Sequence, residues 1–142
     1  MHAMEISRTG LDVEWRRLEI IAQNLANVNS SRTATGETYR PQRLVSGPRT
    51  GFSDHLGAGE AGRQLAGVSI YGVESTGAAP RRVREPGHPH ADADGYVTYP
   101  GVDHAGEMTL MVKTARSYEA NIVAMNAARQ MYIKALELGK GA

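Results

Sequence analysis

The fold is decided by the stretch HAGEMTLMVKTARSYEANIVAMNAARQMYIKALEL, residues 104–138. It contains no proline, and Asp103 directly before it is a candidate N-cap. Apolar side chains recur three and four residues apart, as on one helix face, with Arg129 as the single interruption. They are Met111, Ala115, Tyr118, Ile122, Met125, Tyr132 and Leu136. The spacing predicts a helix roughly 50 Å long, which Gly139 and Gly141 are expected to end. An apolar stripe of this length is typical of a helix that packs along a second helix.

The second helix is predicted near the N-terminus, over residues 4–27. Its apolar face repeats every seven residues, and three further side chains fill the gaps: Met4, Leu11, Trp15, Leu18, Ile21, Ala22 and Leu25. Two interpretations are open. The helices either pair only within one small domain, or they form a seam that also packs against other copies or other proteins. The second is favoured because both helices carry apolar residues on more than one face, for example Ile20 and Val112.

Between the helices the sequence predicts a small β insert. Residues 39–45, 68–73 and 96–99 have the extended or alternating character of short strands, and a turn signal, Asp94-Gly95, precedes the last. Residues 46–67 are rich in glycine, which predicts a mobile loop. The predicted fold class is α+β, with two long terminal α-helices packed as a coiled-coil-like layer and a small irregular β insert. The predicted domains are a paired helical domain, residues 1–30 with 104–142, and a middle region, residues 31–103.

Composition excludes several classes of function. The 142-residue chain is nearly neutral, with 16 Lys+Arg against 15 Asp+Glu, which gives no reason to propose nucleic acid as a partner. The absence of cysteine excludes disulfides, thiolate metal sites and cysteine nucleophiles. The first residues lack the apolar segment of a secretory signal, and no stretch approaches 18 consecutive apolar residues. We therefore expect no direct membrane insertion, and any export without a cleaved signal peptide.

The histidines of the middle region raise the question of a metal site. His88 and His90 flank a proline, and Asp92 and Asp94 follow closely. Such side chains can bind zinc or nickel, but neither a helical histidine pair nor any fixed ligand spacing is present. The serines lie outside the nucleophile motif of hydrolases. We expect no catalytic residue, cofactor or metal. A metal-dependent hydrolase ranks third among the functions considered, after the two described below.

Several segments resemble flagellar basal-body rod and hook proteins. Residues 18–29 (LEIIAQNLANVN) and 115–121 (ARSYEAN) are similar to the N-terminal and C-terminal signatures of this family. Further segments are similar to its short proximal-rod members: residues 39–41 (YRP), 85–97 (EPGHPHADADGYV), 101–108 (GVDHAGEM) and 134–139 (KALELG).

The resemblance implies a structural subunit of the proximal rod in the bacterial flagellum, with no catalysis and no cofactor. Its terminal helices would assemble into a helical tube that transmits torque and encloses the export channel. The implied partners are other copies, other rod proteins and the flagellar type III export apparatus, and the implied location is the rod that crosses the periplasm. The alternative is a cytoplasmic coiled-coil adaptor or a chaperone-like protein.

The residues expected to build the assembly are structural. The seam between the two helices of one chain would be formed by Leu11, Leu18, Leu25, Ile122, Met125 and Leu136. Asparagines would fix its register and tyrosines would add contact area, although simple helix capping is an equal explanation for the asparagines. The predicted assembly seam consists of Leu11, Trp15, Leu18, Asn24, Leu25, Asn27, Tyr118, Asn121, Ile122, Met125, Tyr132 and Leu136.

Overall fold

The computed structural model describes residues 2–49 and 67–140 and has a helix at each end of the chain. Its elements are α1 (His2–Ala26), β1 (Gln42–Pro48), β2 (Val68–Ser75), β3 (Arg81–Arg84), β4 (Tyr96–Tyr99) and α2 (His104–Lys140). Strand β1 pairs with β2, and β3 pairs with β4. The α+β class is confirmed. Most of the predicted glycine-rich loop, residues 50–66, lies outside the described residues. Its first residues, 46–48, belong instead to β1, since the strand continues past the predicted end at Val45.

Helix α2 begins at a side-chain cap and continues beyond its predicted end. The Oδ1 atom of Asp103 accepts a hydrogen bond from the backbone N–H of Gly106 at 3.1 Å, so the predicted N-cap is confirmed. At the other end the helix passes through Gly139, which therefore does not stop it, and continues to Lys140; the second predicted stop, Gly141, lies outside the described residues. Gly139 ends a helix only when its backbone turns left-handed, and its φ is not positive.

The described residues form two compact units, and parts of both helices belong to each. The first unit contains Met1–Arg16, Val45–Gly72 and Thr114–Ala142. Within it, the Thr9 hydroxyl connects α1 to β2, because its oxygen accepts a hydrogen bond from the N–H of Val68 at 3.0 Å. Gly67 precedes this contact with φ +91°, and a Cβ atom there would lie 2.3 Å from the Thr9 hydroxyl oxygen. A glycine is therefore required where the chain meets the helix.

The second unit contains Arg17–Leu44 and Val73–Lys113, and it is organised around Asn24. The Asn24 side chain is 0% exposed. Its Nδ2 donates to the C=O of Gln42 at 2.8 Å, and its Oδ1 accepts from the N–H of Gln42 at 3.0 Å. The same Oδ1 accepts from the Tyr39 hydroxyl at 2.8 Å. One buried amide thus joins the end of α1 to the first residue of β1. The buried apolar and aromatic side chains of this unit include Ile20, Ile21, Leu44, Val97 and Tyr99.

Strands β3 and β4 form an antiparallel pair in which Val83 lies opposite Val97. Asp92 organises the turn before β4, since its Oδ1 accepts hydrogen bonds from the N–H groups of Tyr96 at 2.8 Å and Asp94 at 3.1 Å. Its other oxygen accepts from Arg82. The hydrogen bond from Tyr96, and then the Arg82 contact, hold the pKa of the Asp92 carboxyl below its usual range. The predicted Asp-Gly turn and the following strand are confirmed, with Gly95 at φ +78°.

Replacing Asn24 with alanine should lower the free energy of unfolding by about 2–4 kcal/mol. The reason is that both backbone groups of Gln42 and the Tyr39 hydroxyl would lose a buried partner. The measurement is urea denaturation followed by far-ultraviolet circular dichroism. Asn27→Ala is the matched control, because Asn27 makes only a local bond to the C=O of Gln23. Its cost should stay near ~0.5 kcal/mol, and equal costs for the two variants would contradict this role of Asn24.

Asp92→Asn should reduce stability at neutral pH and have little effect in acid. The folded-state pKa of Asp92 is lowered, so its charged form contributes stability above the unfolded-state pKa of about 3.9. That contribution is lost as the pH falls through the lower folded-state pKa. The measurement is the urea midpoint of both proteins from pH 7 to pH 2.5. A difference between the two midpoints that stayed constant over this range would rule out the assignment.

Candidate assembly surface

One face of α1 is used inside the chain, and it differs from the face with the seven-residue repeat. The buried residues of the helix are Thr9, Gly10, Val13, Ile20, Ile21 and Asn24. At about 100° per residue, Thr9, Val13, Ile20 and Asn24 lie on one side of the helix. Leu11 and Leu18 lie on roughly the opposite side and are only half-buried. Helix α1 therefore has an inner face packed by its own chain and a second apolar face that is partly open.

In the first unit, α1 and α2 lie side by side in opposite directions. Gly10 faces Asn121 so closely that a Cβ atom on the glycine would lie 2.9 Å from the Asn121 Oδ1. The rings of Trp15 and Tyr118 are 6.1 Å apart at an angle of 49°. The first turns of α1 meet the later part of α2 at a cavity of about 390 Å³, lined by Met4, Glu5, Arg8, Met125, Asn126 and Arg129.

In the second unit, both helices and β1 line a cavity of about 360 Å³. Its walls include apolar side chains and four charged ones: Arg17, Ile20, Ile21, Gln42, Arg43, Leu44, Asp103, Gly106, Glu107 and Leu110. Glu107 is 8% exposed. Its negative charge adds to the effect of burial, the larger cause, in raising the pKa of Tyr39 above its usual value.

Large apolar side chains on the outside of both helices are left uncovered. Trp15 is 56% exposed and Val123 is 68% exposed. Every residue from 129 to 139, a segment called here the α2 tail, is exposed. The exposed apolar residues of the helices, called here the outer face, are Trp15, Met108, Val112, Val123, Met131, Tyr132, Ile133, Leu136 and Leu138. Apolar surface concentrated in this way usually marks an interaction site.

The predicted assembly-seam residues occupy four kinds of position. Trp15 and Tyr118 are in contact, and Asn121 faces α1 while its Nδ2 donates to the C=O of Ser117. A second group is half-buried: Leu11, Leu18, Leu25, Asn27, Ile122 and Met125. Asn24 is fully buried, whereas Tyr132 and Leu136 lie exposed on the α2 tail. An intramolecular role for Leu136 does not fit this position, and the assignment of the whole set to an assembly seam stays a prediction.

Sequence patterns did not identify four residues that pack inside the chain: Thr9, Val13, Tyr39 and Glu107. Thr9, Val13, Ile20 and Asn24 do have helical spacing, but two of the four are polar, so the leucine repeat on the other side gives the stronger pattern. A side-chain amide that becomes buried needs hydrogen-bond partners. From this requirement, a donor and an acceptor opposite Asn24 could have been expected. No local sequence feature predicts that Glu107 is buried. A glutamate in the first turn of a helix usually lies in solvent, where it interacts favourably with the helix dipole.

The side chains of the histidine loop make contacts within the chain. Among residues 2–49 and 67–140, no three histidine or acidic side chains are placed to hold a metal ion. His90 Nδ1 instead lies 2.7 Å from the Ser31 hydroxyl, and the rings of His88 and His90 are 5.3 Å apart.

Neither α1 nor α2, over the part of the chain that the structure describes, has the length and apolar character of a membrane-spanning helix.

Known proteins match this chain over nearly its whole length. The family model described as flagellar basal body rod FlgEFG protein C-terminal matches residues 93–138. The chain is 36% identical to the flagellar basal-body rod protein FlgC of Salmonella typhimurium, over 99% of this chain and 98% of that protein. It is 37% identical to FlgC of Bacillus subtilis, over 98% and 97% of the two chains. Identity with FlgC of Borreliella burgdorferi is 31% over the same shares. These full-length similarities show that the chain belongs to the FlgC family of flagellar basal-body rod proteins.

Proposed function

We propose that this rod protein assembles through its helices, with other copies and with other rod proteins, into a helical tube that transmits torque and encloses the export channel. As a basal-body rod protein it is a structural component and not an enzyme. The observation that supports assembly into a tube is the exposure of the outer face. The chain already uses one side of α1 and the middle of α2 for its own packing, so the outer face is available to neighbours.

The α2 tail is the clearest part of this surface. The first turns of α1 lie beside Met125 and Arg129, and within the described residues no element covers the side chains that follow. Burying one large apolar side chain contributes about 1.5–3 kcal/mol, so a few tail residues suffice for a stable contact. A contact between the tail of one copy and a different surface of the next repeats without closing, which produces a filament or tube.

Torque transmission requires that such contacts resist shear. Close helix packing supplies this resistance, because protein interiors are dense and deform little. In the first unit the two helices approach closely enough that a Cβ atom at Gly10 would lie 2.9 Å from the Asn121 Oδ1. A subunit in which paired helices behave as one rigid body suits a rotating shaft, and repeated contacts around the tube add to its stiffness.

Export through the flagellar type III apparatus without cleavage is also part of the proposal. Helix α1 begins at His2, and Met4, Thr9 and Val13 of this helix are used in packing the first unit. Cleavage within this helix would delete side chains that the folded subunit needs. The adaptor alternative has less support, because the full-length relatives are named as rod proteins.

Val123→Asp should prevent incorporation into the rod without unfolding the subunit. Val123 is largely exposed in the isolated chain, so a charge there costs little until a neighbour covers it, when an unpaired buried carboxylate becomes costly. The measurement is swimming in soft agar and the amount of the variant in purified basal bodies, in cells whose own gene is deleted.

Asn126→Asp is the matched control, since it places the same charge at an exposed polar position of the same helix that belongs neither to the outer face nor to the α2 tail. The control should swim, and both variants should keep the thermal melting temperature of the natural chain. Normal incorporation of Val123→Asp would contradict the use of the outer face in assembly.

A further inference from the structure

The methionines of the described residues fall into two groups by exposure. Three are half-buried, namely Met4, Met111 and Met125. The other two belong to the outer face: Met108 is 46% exposed and Met131 is 66% exposed. Met131, on the α2 tail, is therefore the most exposed methionine in the part of the chain that the structure describes.

The helix around Met131 does not shield the sulfur atom. On a helix, the neighbours of a side chain are the residues three and four positions away. Three of these four neighbours of Met131 are alanines: Ala127, Ala128 and Ala135. Alanine has no side-chain atom beyond Cβ, whereas methionine is long and unbranched. Met108 has larger neighbours at three of the four positions: His104, Met111 and Val112. The thioether of Met131 is thus the more accessible of the two.

An accessible thioether is the group in this chain that a peroxide can oxidise. The chain contains no cysteine, so no thiolate competes for the oxidant. The methionine sulfur attacks one oxygen of hydrogen peroxide, an S–O bond forms, the O–O bond breaks, and water leaves with both protons. The sulfur loses two electrons and the peroxide gains them. The product is methionine sulfoxide, a polar side chain that methionine sulfoxide reductases convert back to the thioether.

We propose that Met131 is a site of reversible oxidation and that its sulfoxide prevents the chain from assembling. In the free chain the sulfoxide oxygen stays in water, so oxidation leaves the folded subunit intact. A neighbour that covers the α2 tail would take this oxygen out of water at a place where the natural side chain is apolar, which is unfavourable. The inference rests on the proposed function, because it requires that assembly covers the α2 tail.

The same contact protects Met131 once it has formed. Oxidation by a peroxide depends on access to the sulfur, and a neighbour over the α2 tail removes that access. Oxidation therefore acts on subunits that have not yet assembled and spares those already in the rod. Because a reductase reverses the change, an oxidised subunit regains the ability to assemble.

The first measurement is the rate at which each methionine of the purified full-length chain forms sulfoxide in hydrogen peroxide, read by peptide mass spectrometry. Met131 should react roughly threefold faster than Met108 or the half-buried Met125, or faster still. In purified rods the rate at Met131 should fall about tenfold or more. Equal rates at Met131 and Met125 in the free chain would overturn the assignment of the site. An equal rate at Met131 in rods and in the free chain would overturn its protection by assembly.

The second measurement is self-association of the full-length chain by sedimentation velocity, before and after a peroxide dose that oxidises Met131. The dose should weaken association about tenfold, and treatment with a methionine sulfoxide reductase should restore it. For each variant the readout is the ratio of its affinities before and after the dose. This ratio should be about one for Met131→Leu, because leucine has a similar volume and no sulfur. Met125→Leu is the matched control and should lose as much affinity as the natural chain.

The outcomes separate this site from the general proposal. If the natural chain associates equally well with and without sulfoxide at Met131, the inference is wrong and the assembly proposal stands. If the dose weakens Met131→Leu as much as the natural chain, the sensitive methionine lies elsewhere, and the inference is again wrong. If the untreated natural chain remains monomeric at all concentrations, self-assembly through these helices fails, and this inference fails with it.

Discussion

The structure depends first on the buried side chain of Asn24. Its amide donates to and accepts from the backbone of one residue, Gln42, and accepts from the Tyr39 hydroxyl. A hydrocarbon in this place would leave three polar groups unpaired in the core, so the position tolerates little else. Because Asn24 lies two residues before the end of α1, the bonds fix where the chain returns after the loop. They place Leu44 among the buried residues of the second unit and set the start of the β insert relative to the helix.

The inner face of α1 packs within its own chain. Assembly with other subunits therefore explains why other apolar residues of the helices are exposed. Trp15, Val123 and the residues of the α2 tail stay in water in the isolated chain. In a monomeric protein such exposure lowers solubility. In a rod subunit, burial of the same side chains on assembly stabilises the contacts between subunits. Contacts that are incomplete in one chain can be completed when subunits assemble in order.

Much of the fold could be predicted from the sequence, and the parts that could not have a common cause. The long helix, its Asp103 cap, the Asp-Gly turn and the short strand after it all follow from local rules, which depend on residues a few positions apart. The side of α1 that packs inside the chain was assigned to the leucine repeat, yet Thr9, Val13, Ile20 and Asn24 are the residues buried. Their selection depends on partners distant in sequence, such as Val68 for Thr9 and Gln42 for Asn24. The continuation of α2 through Gly139 was also missed, since helix propensity is a weak guide when no turn competes.

The central claim is that the chain completes its inner contacts alone and leaves the α2 tail for a neighbour. Amide hydrogen exchange, read by mass spectrometry on the isolated chain and on purified rods, tests it most directly. The account predicts slow exchange around Asn24 and Gln42 in both samples. It also predicts fast exchange of residues 129–139 in the isolated chain and at least tenfold slower exchange in rods. Equally fast exchange of residues 129–139 in rods would contradict the claim, because the tail would then remain uncovered after assembly.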